Sequence, residues 1–390
     1  MNLRVGFDVS QTGRNKAGCG FYAHALASML PSLAPDMHFN FHPDFGDFFV
    51  DPTMPLTNPF PAPNSSYGPR HFGRSGAAAF WNQPELEAAL GSPDILHANN
   101  FWCPAGLSTT RIVYTLYDLA FALEPDWTTE ENRIGCFSGV FRAAIAADWI
   151  VAISQASRDH FLHVFPHFPA ERVRVIHPCS RFLDNKSTGT CPPALRDLRP
   201  GGFWLSVGTI EPRKNQRMLL RAFKRYLDAG GKPLPLVLAG GEGWRMQDFP
   251  EEIRRSGLAS LVRMTGYVSD EELVWLYRHC YANLYPSLFE GFGLPLLEGM
   301  QFGAASIASN SSSLPEVAGD CAVLLDPHEE SAWVTAMLEL SSDASMRESL
   351  RQRATRRAES FDWRRSGQEM LALYREAVRS PKRVQSCDAH

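Results

Sequence analysis

The sequence predicts an α/β protein of two doubly wound domains, each a parallel sheet covered by helices. Three observations carry this. Short strand-like runs alternate with helix-patterned stretches along the whole chain, the signature of strand–helix–strand units. At 390 residues the chain is long for one ordinary core, so two domains are expected. A polar, breaker-rich segment, RFLDNKSTGTCPPALRDLRPGG (181–202), separates the runs into two sets and reads as a linker between a domain at 1–180 and one at 203–360.

In the first set the expected strands are LRVGF (3–7), DILHA (94–98), RIVYTL (111–116), WIVAIS (149–154) and RVRVIHP (172–178). The second set offers FWLSVGTI (203–210), LPLVLAG (234–240), VRMTGY (262–267), YANLYPS (281–287), ASIASN (305–310) and AVLLD (322–326). Ser269 ahead of DEELVWLYRHC, with Glu272 at the third helical position, predicts a capping box. The stretch 43–76 is broken by Pro43, Pro52, Pro55, Pro59, Pro61, Pro63 and Pro69, and reads as a long loop of the kind used for lids or binding. The chain's last amphipathic stretch is DWRRSGQEMLALYREAV (362–378).

Composition narrows the classes. A hydrophobic share of 44%, a charged share of 21% and a formal charge of −4 describe an ordered globular protein and argue against nucleic acid as a partner. The eight cysteines are scattered without a Cys-x-x-Cys pair, which suits reduced thiols in a cytosol rather than a disulfide framework or a zinc site. MNLRVGFDVS runs directly into a strand, without a signal-peptide pattern, and the longest apolar runs are far short of a membrane span. No P-loop, H-E-x-x-H or G-x-S-x-G motif is present. His160, His163 and His167 lie in an aromatic amphipathic stretch, HFLHVFPHF, which disfavours a metal role.

Three stretches carry candidate chemistry. SLFEGFGLPLLEGM (287–300) reads as a strand end, a glycine loop and a helix start from about Leu294, with Pro295 in the first turn where its missing donor costs nothing. Gly291 and Gly293 let backbone approach a ligand, and free amides at a helix start favour an anion. Glu298 suits a diol such as ribose and Glu290 a sugar; the plainer alternative is a solvated loop glutamate plus one that favours the helix dipole. In SVGTIEPRKNQ (206–216), Arg213 and Lys214 stand at a strand's carboxyl end, placed to hold a diphosphate as it departs. GRNKAGCGFYAHAL (13–26) matches G-x-G-x-x-A only formally, since the first strand ends too early and no acidic partner follows. A substrate-contacting glycine loop is the better reading.

Taken in order, these stretches resemble the retaining glycosyltransferases of family 4, which have the GT-B fold. FEGFGLPLLE resembles that family's two-glutamate signature and VGTIEPRKN its diphosphate-binding segment. DILHANNFWCP, TLYDLAF, VAISQASRDHF, LAGGEGW, TGYVSDEEL and SSSLPEVAGDCAVLLDP follow in the expected order. EPRKN and DLAF look most like bacterial mannosyltransferases of O-antigen and exopolysaccharide assembly. The resemblance implies two Rossmann-like domains facing each other across a cleft, with a helix at 361–380 crossing back to the first. It implies metal-independent transfer of a hexose, mannose from GDP-mannose first, to a saccharide or lipid-linked saccharide. No cofactor is required, the nucleotide sugar being a substrate.

Donor contacts are implied at Gly208, Thr209, Arg213, Lys214, Gly240, Gly266, Tyr267, Gly291, Phe292, Gly293, Leu294 and Glu298, with Arg213, Lys214, Glu290, Asp118 and Tyr117 at the reacting centre. Gly18, Cys19, Gly20, Asn99, Asn100, Tyr117 and Asp118 are implied on the acceptor side. Many relatives carry His-Asp where this chain has Tyr117-Asp118, and a tyrosine is not a base at neutral pH. The competing expectations are a catalytically silent sugar-nucleotide-binding scaffold, favoured only by Tyr117, and a GT-B-fold epimerase, disfavoured by EPRKN. A cytoplasmic location is expected, with CFSGVFRAAIAADW (136–149) and FNFHPDFGDFF (39–49) as candidate contacts to the inner face of the membrane.

Overall fold

The structure is a computed structural model that describes residues 2–14, 16–46, 50–70, 73–99, 101–182 and 186–383. The chain forms two compact units, one from Met1–Pro125, Glu130–Arg181 and Asp362–His390, the other from Asp126–Thr129 and Phe182–Phe361.

The first unit holds a seven-stranded sheet of β1 (Arg4–Asp8), β2 (His38–His42), β3 (Ser65–Tyr67), β4 (Ile95–Asn99), β5 (Arg111–Leu116), β6 (Trp149–Ala152) and β7 (Val173–Val175), in the order β3-β2-β1-β4-β5-β6-β7. Every neighbouring pair is parallel. The second unit holds β8 (Trp204–Val207), β9 (Leu236–Ala239), β10 (Val262–Gly266), β11 (Ala282–Tyr285), β12 (Ser306–Ser309) and β13 (Val323–Leu325), in the order β10-β9-β8-β11-β12-β13, again all parallel. Both sheets are covered on both faces, so the central strands read as uninterrupted burial: every residue of β4, β11 and β12 is inaccessible. Strand order reverses between β1 and β4 in one unit and between β8 and β11 in the other, the places where such sheets bind ligands at their carboxyl edges.

Each of the eleven expected strands overlaps one of the observed ones; β2 and β3 were not among them. β2 lies in the aromatic stretch expected as a membrane contact, and that expectation is corrected: Phe39 and Phe41 are 0% exposed and Phe45 2%. Phe7 meets Phe41 edge-on at 6.3 Å, so these rings are core. Residues 47–49 of that stretch lie outside the described residues. β3 interrupts the proline-rich loop and pairs with β2 at Phe39↔Ser65 and Phe41↔Tyr67. The Asn64 amide donates to the carbonyls of Pro31, Ala34 and Met37, anchoring the loop to the end of the helix Gly18–Leu33.

From Phe182 onward the segment expected as a linker belongs, where it is described, to the second unit. Leu195 is 1% exposed and shares a core cluster with Phe182, Phe203 and Leu205. The helix Trp363–Arg379 starts on an Asp362 cap and belongs to the first unit. It lies against the helix Gly18–Leu33 so closely that a Cβ on Gly367 would stand 2.7 Å from Leu33 Cδ1. Trp363 Nε1 donates to the Ser180 carbonyl, Tyr374 O–H meets His97 Nδ1 at 2.5 Å, and Arg383 N–H reaches Asp148 Oδ1 at 2.8 Å.

Candidate functional site

In the second unit the chain leaves β8 through Gly208 and Thr209, makes a tight turn at Pro212–Lys214, and enters the helix Gln216–Asp228 at Asn215. Asn215 is left-handed (φ 58°), a conformation that asparagine tolerates. Its amide donates to the carbonyls of Pro286 (3.2 Å) and Pro327 (2.9 Å). Gly240, at the end of β9, faces this turn; a Cβ there would sit 2.0 Å from the Gly208 carbonyl oxygen, so only glycine fits.

This turn brings Arg213 and Lys214 onto Glu290, beyond the end of β11. Lys214 Nζ donates to Glu290 Oε1 at 2.5 Å and Arg213 Nη1 to Oε2 at 3.0 Å. Tyr285 O–H (2.7 Å) and Ser287 O–H (2.6 Å) also donate to Oε1. Arg213 Nη2 reaches a second carboxylate, Glu211, at 2.7 Å. Burial alone would raise the Glu290 carboxyl, but the Lys214 and Arg213 charges and the hydrogen bonds from Lys214 and Ser287 outweigh it and hold it down to about 2. Burial pushes the Tyr285 phenol well above its ordinary value, reinforced by the Glu290 charge, so it remains a donor.

The loop after Glu290 is clamped to the turn after β12. Ser312 Oγ accepts from the Glu290 amide at 2.8 Å, and Ser313 Oγ lies 2.9 and 2.8 Å from the carbonyls of Glu290 and Phe292. Gly293 (φ 102°) takes a left-handed turn into the helix Leu294–Gln301, with Pro295 in its first turn; a Cβ on Gly293 would meet Leu314 Cδ2 at 2.5 Å. Glu298 is 3% exposed and accepts from Tyr277 O–H at 3.2 Å. Gly266 ends β10, and Tyr267 beyond it is 82% exposed. Phe292 packs edge-on against Phe361. Trp127 stacks obliquely on Phe289 at 6.0 Å, its carbonyl accepts from Trp244 Nε1, and Asp126 pairs with Arg245. Glu211, Tyr285, Ser287, Ser312, Ser313, Tyr277 and Trp127 were not singled out from the sequence. Their roles depend on loops from separate strands meeting, and no local periodicity marks them.

In the first unit a polar network joins the ends of β1, β4 and β5. Asp8 Oδ1 accepts from Ser10 N (2.9 Å) and Oγ (2.7 Å), and Oδ2 accepts from Asn99 N at 3.3 Å. Tyr117 O–H lies 3.0 Å from the Cys19 carbonyl and 3.3 Å from Asn99 Oδ1. Burial pushes the Tyr117 phenol well above its ordinary value, which keeps it a donor. Burial raises Asp8 to about 7, against the hydrogen bonds from Ser10 and Asn99. Asp118 Oδ1 accepts from Ala120 N at 3.0 Å. Gly18–Gly20 are not a turn, as expected from the sequence, but the first turn of the helix Gly18–Leu33. A Cβ on Gly20 would lie 2.1 Å from the Gln11 carbonyl oxygen, which explains the glycine without a ligand. Asn100 lies outside the described residues.

Two parallel-sheet, Rossmann-like units with these strand orders are the GT-B class. The solved structure of sucrose-phosphate synthase (tll1590) from Thermosynechococcus elongatus is similar with a TM-score of 0.69 at 19% identity, over 96% of this chain and 99% of that one. The family described as Glycosyl transferases group 1 matches residues 200–357, and Glycosyltransferase Family 4 matches 20–179. The O-antigen chain mannosyltransferase B of Escherichia coli is 32% identical over 284 residues, 72% of this chain and 74% of its own. The serotype-specific mannosyltransferase WbdA of Escherichia coli is 32% identical over 229 residues, 56% of this chain but 25% of the relative. The chain belongs to the glycosyltransferases of family 4.

Proposed function

We propose that the protein is a retaining mannosyltransferase that moves mannose from GDP-mannose to a saccharide or lipid-linked saccharide in bacterial surface-polysaccharide assembly, without a required metal ion. The observation that carries this reading is the pairing of Arg213 and Lys214 with Glu290 beside the start of the helix Leu294–Gln301, at the switch between β8 and β11. Two cations and the amides of a helix start suit a diphosphate. The 32% identity to an O-antigen mannosyltransferase supports the sugar and the pathway class.

In this mechanism the bond between mannose C1 and the β-phosphate oxygen breaks. The acceptor hydroxyl oxygen forms the new bond on the same face, and its proton passes to the departing phosphate oxygen. GDP leaves. Arg213 and Lys214 neutralise the charge that develops on the leaving group, so the chain supplies orientation and electrostatics rather than a strong base. Glu298, held by Tyr277, takes the ribose diol. Gly208, Thr209, Gly240, Gly266 and Tyr267 line the nucleotide, and the backbone of Gly291 to Leu294 lines the phosphates and sugar. Gly18 to Gly20, Asn99, Tyr117 and Asp118 serve the acceptor side. A thermal-shift series with GDP-mannose, GDP, UDP-glucose and ADP-glucose checks the donor: GDP-mannose is expected to raise the melting temperature most. A larger rise with a UDP-sugar would overturn the mannose assignment.

Peripheral attachment to a membrane belongs to the same proposal. Ile134 (51% exposed), Phe137 (50%), Phe141 (46%) and Ile145 (37%) fall on one face of the helix Glu130–Ala146, and Phe137 stacks on Phe141 at 5.6 Å. Such a stripe suits shallow insertion at a lipid interface. Among the described residues no helix is long and apolar enough to cross a membrane. The wild type is expected to sediment with phosphatidylglycerol vesicles, and Phe137→Ser with Phe141→Ser to stay in the supernatant. Equal sedimentation of both would remove this surface from consideration.

A further inference from the structure

We propose that Glu290 is an internal counter-anion for the diphosphate cations: its carboxylate holds Arg213 and Lys214 in the donor-free protein, yields them to the incoming diphosphate, and reclaims them to expel the nucleoside diphosphate. The inference rests on the assignment of Arg213 and Lys214 to the diphosphate.

The contacts are those of a filled anion site. Glu290 receives the shortest contact that Lys214 makes, at 2.5 Å, and one arm of the Arg213 guanidinium, at 3.0 Å. The other arm is held by Glu211 at 2.7 Å. Two cations therefore face two carboxylates, all with side chains less than a fifth exposed. A diphosphate added to this balanced group brings uncompensated negative charge against Glu290 and is neutralised locally only by taking the cation contacts that Glu290 now has. Like charges at such distances in a poorly solvated site repel by several kcal/mol at an effective dielectric of about 20.

The surroundings allow exchange rather than collapse. Tyr285 and Ser287 donate to the same carboxylate and carry no charge, so Glu290 keeps two donors when the cations turn away. The Glu290 main chain is fixed by Ser312 and Ser313, which leaves the side chain as the part that shifts.

This role has a sign that other roles lack. A glutamate that only contacts the sugar leaves the affinity for a nucleoside diphosphate unchanged when replaced. A purely structural glutamate weakens it. A counter-anion strengthens it. Calorimetric titration of the full chain with GDP, UDP and inorganic pyrophosphate tests this in the wild type, Glu290→Gln and Tyr285→Phe. Glu290→Gln is expected to bind GDP about tenfold more tightly and to show a larger GDP-induced rise in melting temperature than the wild type, while its steady-state transfer falls. Tyr285→Phe leaves the carboxylate more dependent on the cations and is expected to bind GDP several-fold more weakly. Unchanged or weaker GDP binding by a folded Glu290→Gln protein overturns the counter-anion role while leaving the diphosphate assignment in place. Should Glu290→Gln not fold, unchanged or tighter GDP binding by Tyr285→Phe overturns it instead. A wild type that binds none of the three probes removes the diphosphate assignment itself.

Discussion

Arg213→Ala and Lys214→Ala will each lower kcat by about 10²–10³-fold, the range seen when one preorganised donor to a developing anion is removed. The loss should fall on kcat more than on donor KM, because the charge on the diphosphate grows as the bond to the sugar breaks. Each substitution also takes a cation from Glu290, whose side chain is 8% exposed. Breaking one partner out of a buried pair costs about 3–5 kcal/mol, so unfolding midpoints must be measured beside the rates. Arg213 pairs with Glu211 at 2.7 Å as well as with Glu290 at 3.0 Å, so its loss leaves two buried carboxylates short of a cation and should show the larger drop in stability. Near-normal turnover in both variants would sink the assignment of the leaving-group site.

Two buried groups of the first unit will tilt its stability in opposite directions between about pH 4 and 6.5. Burial lowers the His97 imidazole from 6.5 to about 3. Burial raises the Asp8 carboxyl from 3.8 to about 7. His97 is depressed, so its contribution is present above pH 6.5 and is lost as the pH falls toward 3. Asp8 is raised, so its contribution is complete below pH 3.8 and is lost as the pH rises through 7. In mid-window each changes protonation on unfolding by nearly one proton, worth about 1.4 kcal/mol per pH unit, and in the wild type the two slopes largely cancel. Urea unfolding at several pH values will therefore show His97→Gln losing stability relative to the wild type as pH rises, and Asp8→Asn gaining it. Three parallel profiles would show that neither group is held as described.

The fold was legible where alternation was strong. RIVYTL coincides with β5 residue for residue, because a parallel strand buried from Ile112 to Leu116 reads as a compact run of β-branched, aromatic and aliphatic residues. HFNFH was not legible, since its histidines and asparagine look polar, although Phe39 and Phe41 point into the core. Ser65–Tyr67 is a three-residue edge strand with no apolar run to find. At the site, Gly293 and Pro295 were readable because the backbone at a loop–helix junction favours those residue types, and Arg213 and Lys214 because two adjacent cations follow a strand's carboxyl end. The donors that saturate Glu290 were not. Tyr285 and Ser287 sit in YPS, Glu211 in IEP, Ser312 and Ser313 in a serine run, and their functions arise only when the turns after β8, β11 and β12 meet. The pairing of Tyr117 with the Cys19 carbonyl likewise joins residues 98 positions apart.

The first unit is assembled from segments that precede and follow Phe182–Phe361 of the second. His97, in the middle of its sheet, takes its Nδ1 partner from Tyr374, 277 residues later, and Asp148 is reached by Arg383, 235 residues later. During synthesis the second unit, from Phe182 to Phe361, leaves the ribosome before the helix Trp363–Arg379 that completes the first. Covering the side of the helix Gly18–Leu33 that meets Gly367 must therefore wait until the segment beyond Phe361 is made, a long-range closure of the kind that slows folding. The later-encoded domain is the one positioned to fold first.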